Sequence, residues 1–303
     1  MSTLIAAALQ MRTTRSVECN IADLLAMAGE AVAQGATFLQ SPEMSNILER
    51  NRAALFEAIR PEAQDAMLAA VRDFARAKHV TFHIGSLAVR ECEKVANRGL
   101  LVGPDGEIVA RYDKLHLFDV DLPNGETWRE SNTYTAGQCA VVAPLSLSHD
   151  LIEKPAATFS DHAPLSDAVL GMGICYDLRF PYLFRALAEA GADILTAPAC
   201  FTRQTGEAHW TVLQRARAIE TGSFMISAAQ GGKHEDGRET FGHSIIVDPW
   251  GRVLAEAGDE PGPVLATLDL SLVTDARQRI PTLKHTRVIA VTRQGFAPDK
   301  AAE

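Results

Sequence analysis

Ala168-Val-Leu-Gly-Met-Gly-Ile174 is a near-continuous apolar run, and Cys175-Tyr-Asp-Leu-Arg-Phe-Pro181 follows it directly. The run reads as a strand covered on both faces, because a strand with one wet face would alternate. Pro181 opens a helix that reaches Ala190 and stops at Gly191, since proline suits the first helical turn and glycine the exit. Position 175 therefore stands at the carboxyl edge of a sheet, where open α/β sheets place their ligands. Taken alone, it suits either a small buried thiol closing a core strand or a nucleophile. Backbone N–H groups of the turn and the following helix can face a developing negative charge there.

The same grammar extends outward. Downstream come a strand at Asp193 to Ala197, a helix at Ala208 to Thr221 stopped by Gly222, and a strand at Phe224 to Ala229. A hairpin follows, His243 to Asp248 and Arg252 to Glu256 around Pro249-Trp250-Gly251, then a strand at Val264 to Leu268. Upstream, Thr3 to Leu9 reads as a strand and Asn20 to Ala33 as a helix capped by Asn20. A strand from Ala36 to Gln40 leads into Ser41-Pro42-Glu43. Pro61 to Lys78 reads as helix and Thr81 to Arg90 as strand. Arg98 to Val102 and Glu107 to Tyr112 form a hairpin about Gly103-Pro104-Asp105-Gly106. This alternation favours a layered α/β fold. The two halves share one outline, strand-helix-strand-helix and then a hairpin. The stretch 146–166 is polar and reads as a surface excursion. With no break in composition, residues 1–303 read as a single domain with its core over about 4–287.

Composition removes several classes. At 47% hydrophobic and 22% charged, the 303 residues can bury a core, so disorder as the main state is excluded. A net charge of −9 argues against nucleic-acid or anionic-membrane partners. No apolar run is long enough to span a bilayer, and Met1 to Met11 lacks the basic front of a signal peptide. The five cysteines are widely spaced with no C-x-x-C pair. That disfavours disulfides or zinc and points to a reducing cytoplasm. Gly171-Met172-Gly173 lacks the third glycine of a dinucleotide fingerprint. His79 and His83 share a strand face but stand too far apart for one metal.

Two further residues complete a chemistry. Glu43 lies at a strand end behind a stiffening proline, and Lys114 lies between a hairpin strand and the apolar stretch Leu115 to Phe118. With Cys175 they form a full kit for nucleophilic catalysis. A thiol needs a base to become a thiolate. A carboxylate serves if burial raises its pKa. A fixed ammonium meets the charge of a tetrahedral oxyanion.

Glu43 in Ser-Pro-Glu-Met, Lys114 in Tyr-Asp-Lys-Leu-His-Leu-Phe-Asp-Val-Asp and Cys175 in Gly-Ile-Cys-Tyr-Asp-Leu-Arg-Phe-Pro resemble the nitrilase superfamily of carbon–nitrogen hydrolases. The resemblance covers about Leu4 to Arg287. It implies a four-layer α-β-β-α sandwich and a homodimer or higher homo-oligomer built on the helices at Pro181 to Ala190 and Ala208 to Thr221. It also implies catalysis without metal or organic cofactor, on a small amide that becomes an acid and ammonia through a cysteine thioester. Glu43 would be the base, Lys114 and the backbone N–H of Tyr176 the oxyanion donors, and Glu130 a second glutamate that positions Lys114 or the substrate. Ala228-Ala-Gln-Gly-Gly-Lys-His and Gly237-Arg238 resemble the branch of deaminated glutathione amidases. The ω-amidases acting on 2-oxoglutaramate are the neighbouring alternative. Other amide, nitrile or carbamoyl hydrolysis and a non-catalytic binder on the same fold are more distant ones. Such substrates carry carboxylates. Arg179, four residues after the nucleophile, is the expected partner. Phe201 and Thr205 are expected to line the pocket, and Arg203 and Lys233 to be further candidates for a distal carboxylate.

Overall fold

The computed structural model describes residues 3–122, 125–145 and 168–292, so the excursion at 146–166 lies outside the described residues. In chain order the first part holds β1 (Thr3–Gln10), α1 (Val17–Ala33), β2 (Phe38–Gln40), α2 (Arg52–Ala58), α3 (Ala66–Lys78), β3 (Thr81–Glu91), β4 (Lys94–Val102) and β5 (Ile108–Asp113). Then come β6 (Asp119–Asp121), β7 (Thr127–Arg129), β8 (Tyr134–Thr135), β9 (Val141–Leu145) and β10 (Ala168–Met172). The rest comprises α4 (Pro181–Glu189), β11 (Ile194–Thr196), α5 (Arg203–Thr221), β12 (Phe224–Ser227), β13 (Gly231–Lys233), β14 (Glu239–Phe241), β15 (Ile245–Val247), β16 (Val253–Glu256), β17 (Gly262–Asp269) and α6 (Ser271–Arg279).

Two sheets carry the architecture. One runs β17-β1-β2-β3-β4-β5 with β8 beside β4, and the other runs β16-β15-β12-β11-β10-β9. Apart from β8, they repeat each other strand for strand. Each has three parallel strands, β1-β2-β3 and β10-β11-β12. Each set is flanked by one antiparallel strand on one side and two on the other. The shared outline of the two halves is thus a structural repeat.

Strand alternation sets the layers. In β1, Ala7 and Leu9 pack with Leu24, Ala28 and Ala31 of α1 and Met67, Val71 and Ala75 of α3. Ala6 and Ala8 face the other way, joining Phe38, Leu101 and Tyr112 against the second sheet. Leu183, Phe184 and Leu187 of α4, with Trp210 and Ala218 of α5, cover that sheet's far side. The result is a four-layer α-β-β-α sandwich.

Local boundaries differ from the sequence reading for identifiable reasons. Ser16, not Asn20, caps α1, its side chain accepting from the N–H of Cys19. Asn20 is buried and ties Thr14 to the carbonyl of Asn46. The expected helix from Pro61 is broken into a short 3₁₀ turn at Glu62–Gln64 and α3, because Asp65 caps α3 itself by accepting from Leu68 N–H. The helix expected from Ala208 begins at Arg203. Gly206 sits inside it because a Cβ there would meet the Phe241 ring at 2.3 Å. His79 ends α3 in a left-handed cap. His83 is buried in β3 and burial drives its pKa down to about 3, so it is a neutral core residue. Among the described residues, no helix is long and apolar enough to cross a membrane.

Candidate active site

The carboxyl ends of the parallel strands of both sheets meet. Glu43 follows β2 on a loop fastened to a bulge in β3, where the register shifts between Ile84 and Leu87. Met44 N–H donates to Ser86 Oγ at 3.0 Å, and Gly85 N–H donates to Ser41 Oγ at 3.2 Å. Gly85 admits no side chain, since a Cβ would lie 2.1 Å from Ser41 O and 2.5 Å from Pro198 Cβ. That close approach brings the Glu43 loop against the segment after β11. Cys175 follows β10 and starts a 3₁₀ helix, Cys175–Arg179. Its φ of 49° is left-handed, and its N–H donates to Pro198 O at 2.9 Å. A non-glycine residue held there carries local strain of about 1–3 kcal/mol, a common mark of a functional position. Lys114 follows β5, its N–H donating to Asn97 O at 3.0 Å.

These residues converge in a buried cluster. Lys114 Nζ lies 2.8 Å from Glu43 Oε1 and 3.1 and 2.9 Å from the two oxygens of Glu130. Asn97 Nδ2 donates to both glutamates, at 2.8 and 3.1 Å. The other oxygen of Glu43 accepts from Cys200 N–H at 2.8 Å, and the Cys175 thiol bonds to the same carboxylate. Phe118 N–H donates to Glu130 at 2.6 Å. Lys114 is only 2% exposed and Glu43 3%, so water screens these charges weakly.

The electrostatics correct one expectation. Burial does push the Glu43 carboxyl up, but the Lys114 ammonium and the hydrogen bonds from Lys114, Cys175 and Asn97 outweigh it and hold the group below its usual range. Burial and the Glu43 charge push the Cys175 thiol well above normal. Burial would lower Lys114, yet Glu130 and Glu43 raise it well above its ordinary value. The resting site is therefore thiol, carboxylate and ammonium. Proton transfer from Cys175 to Glu43 is uphill until sulfur's developing charge passes to an acceptor near Lys114.

A cavity of about 270 Å³ opens onto this cluster, and its walls include Cys175, Arg179, Phe201, Thr205, Trp128 and Arg238. Phe201 is buried and Thr205 bonds to Thr202 Oγ1 at 2.8 Å. Arg179 is half-buried, lies 5.1 Å from the Phe201 ring and 6.0 Å from that of Tyr176, and has His209 Nδ1 at 3.1 Å. Asp177 does not pair with it. It is buried and takes Tyr112 Oη at 2.6 Å, Ile174 N–H at 2.9 Å, and His116 N–H and Nδ1 at 3.0 and 2.6 Å. Asp177 thus ties the Lys114 segment to the Cys175 turn. Arg203 and Lys233 stay outside the cavity walls. Arg203 is exposed and engaged by Glu207, Glu239 and Asp259. Lys233 is exposed on β13, opposite Glu239. Sequence reasoning missed Asn97 as a site residue, and it noticed Arg238 only within a motif. A polar side chain inside the apolar stretch Val95 to Val102 was the available signal for Asn97. Among the described residues, no group of three His, Cys, Asp or Glu is placed to hold a metal ion.

A buried carboxylate, ammonium and thiol at the meeting edges of an α-β-β-α sandwich define a thiol hydrolase for carbon–nitrogen bonds. The carbon-nitrogen hydrolase family model matches residues 5–278, and the chain belongs to that family. It is a hydrolase acting on carbon–nitrogen bonds other than peptide bonds. It is 37% identical over 292 residues to a deaminated glutathione amidase of Synechocystis, covering 94% of this chain and 98% of that one. It is 38% identical over 288 residues to a probable hydrolase, nit2, of Schizosaccharomyces pombe, covering 92% and 96%. The crystal structure of the C. elegans NitFhit protein superposes with a TM-score of 0.81 at 30% identity, covering 95% of this chain and 66% of that chain.

Proposed function

We propose that the protein is an amidase of the deaminated glutathione type, working through a thioester on Cys175. The observation that carries this reading is the buried Glu43–Lys114–Cys175 cluster with Arg179 in the same cavity. Glu43 takes the Sγ proton as sulfur attacks the amide carbonyl. The oxyanion forms against Lys114 Nζ and the N–H of Tyr176, since the N–H of Cys175 is spent on Pro198. Glu43 then protonates the departing nitrogen as the C–N bond breaks. Water, deprotonated by Glu43, attacks the thioester, and the proton returns to sulfur as the acid leaves. Glu130 and Asn97 hold Lys114 and Glu43 in place throughout.

In deaminated glutathione the scissile nitrogen belongs to cysteine, so the departing amine is cysteinylglycine. Ammonia leaves only from a primary amide such as 2-oxoglutaramate, the runner-up substrate. The expectation of ammonia release is thereby narrowed to that alternative, and an assay should follow 2-oxoglutarate, the product common to both. The expected result is a higher kcat/KM on deaminated glutathione. A higher value on 2-oxoglutaramate would favour the ω-amidase reading.

Arg179 is the proposed holder of the 2-oxo acid carboxylate. Burial lowers its pKa, and among the described residues no carboxylate pairs with it. A guanidinium so placed gains most from an incoming anion. Arg179→Met should cost about 2–5 kcal/mol in kcat/KM on 2-oxo acid amides, and much less on a neutral amide of similar length. Equal losses on both, at unchanged melting temperature, would make Arg179 a support of the site's architecture.

Tyr182 on α4, Val212 and Ile219 on α5, and Trp250 are exposed. Large apolar side chains grouped on one outer layer suit an interface, and we assign that face to a homodimer. The exposed free thiols Cys19, Cys92 and Cys139 suit a reducing cytoplasm.

A further inference from the structure

We infer that Arg50, held against Trp128, anchors a carboxylate on the leaving-group half of the substrate, which makes it a specificity-determining residue. This rests on the amidase reading above and adds a second recognition point to it.

A row of rings runs from one cation to another, and two of the rings, Phe118 and Trp128, line the cavity. Arg179 lies 6.0 Å from the Tyr176 ring, Tyr176 lies 5.1 Å from Phe118, and Phe118 lies 6.3 Å from Trp128. The Arg50 guanidinium then sits 4.4 Å from the Trp128 ring. Three aromatic side chains thus stand between two guanidiniums, and both arginines line the cavity that holds Cys175.

The remaining arginines of the cavity are committed. Arg238 has Asp236 at 2.6 Å, Arg129 has Asp121 at 2.8 Å, and Arg52 donates to Glu93 O at 2.7 Å. Among the described residues, Arg50 has neither a carboxylate nor a carbonyl partner. Its guanidinium rests on an indole that is itself held. Trp128 Nε1 donates to Glu126 at 3.3 Å, and Arg238 lies 5.5 Å from the same ring. A stacked guanidinium keeps its edge N–H groups free for a bidentate grip on a carboxylate.

Arg179 stands four residues from the nucleophile and takes the acyl half. A cation at the far end of the ring row then meets the amine half. The substrate class this selects is an amide whose amine half ends in a carboxylate, such as an amino acid or short peptide, in preference to a primary amide.

The test compares deaminated glutathione with its C-terminal amide, which differs only in the distal charge, on wild type, Arg50→Met and Arg50→Lys. In Arg50→Met the ratio of kcat/KM between the two substrates should fall roughly fivefold, the size expected of a water-reached ion pair. Arg50→Lys should keep part of the ratio. The wild-type ratio should also shrink at high salt. An unchanged ratio in Arg50→Met overturns the inference while leaving the amidase reading intact. A wild type that releases no 2-oxoglutarate from either substrate overturns the amidase reading itself.

Discussion

Cys175→Ala is expected to abolish amide hydrolysis and to leave the fold and its melting temperature close to wild type. The thiol makes the covalent bond, so its loss removes the reaction path rather than one contact along it. A fall of several orders of magnitude in kcat is the usual scale for a lost nucleophile. The fold tolerates the change for local reasons. Alanine presents no larger side chain to the left-handed backbone at position 175 than cysteine does. Glu43 loses one hydrogen bond but keeps Lys114, Asn97 and the Cys200 N–H. Cys200→Ala is the matched control, because Cys200 serves Glu43 through its backbone and alanine retains that N–H. Activity and thermal melting of both variants check this. Turnover near the wild-type rate in Cys175→Ala would remove the basis of the mechanism.

Lys114→Met should lower kcat by about 10²–10³-fold or more, the scale of a lost oxyanion donor, with a smaller change in KM. The ammonium meets charge that exists only in the transition state, so its loss shows in kcat. The substitution also strips two carboxylates of their shared cation. Breaking a buried ion pair costs about 3–5 kcal/mol because the partner stays charged and dry.

The pH profile separates these effects. In wild type, Glu43 titrates below the ordinary glutamate range, while Cys175 and Lys114 titrate well above theirs. Activity should thus be flat across neutral pH and fall on the acid side only as Glu43 takes a proton. Without Lys114, burial pushes Glu43 upward against only the hydrogen bonds from Cys175, Asn97 and the Cys200 N–H, and the acid limb should move to higher pH. The stability sign follows from the same shift. The depressed Glu43 stabilises the wild type above its unfolded pKa, and this is lost as pH falls through the folded value. The variant should accordingly lag wild type most at neutral pH and least in acid. An unchanged kcat with a raised KM would make Lys114 a substrate anchor instead.

The chemistry was legible in the sequence because Glu43, Lys114 and Cys175 each sit where a strand ends, and strand ends are marked by proline, glycine and polar turns. A layered α/β fold followed from apolar runs alternating with helices, and the four-layer form from the family resemblance. What could not be read depends on contacts far apart in sequence. Asn97 reaches Glu43 across 54 positions, and Cys200 reaches it across 157. The resting protonation pattern turns on the outcome of burial against Lys114, which no local pattern states. Arg203 lies near the site in sequence, but it opens α5 and turns outward to Glu207 on its own helix and to Glu239 and Asp259 on two other segments. The short hairpins β6–β7 and β13–β14 were missed because strands of three residues leave no periodicity. They carry Trp128 and lead into Arg238, so the far end of the cavity was the least legible part of the site.

The covalent intermediate is the most direct test of the central claim. Wild-type protein saturated with deaminated glutathione and quenched in acid should carry one 2-oxoglutaryl group by intact mass. Peptide mapping should place it on the segment containing Cys175, and hydroxylamine should remove it, as a thioester requires. An active enzyme that carries the acyl group on any other residue, or carries none at any quench time while 2-oxoglutarate accumulates, would contradict the account.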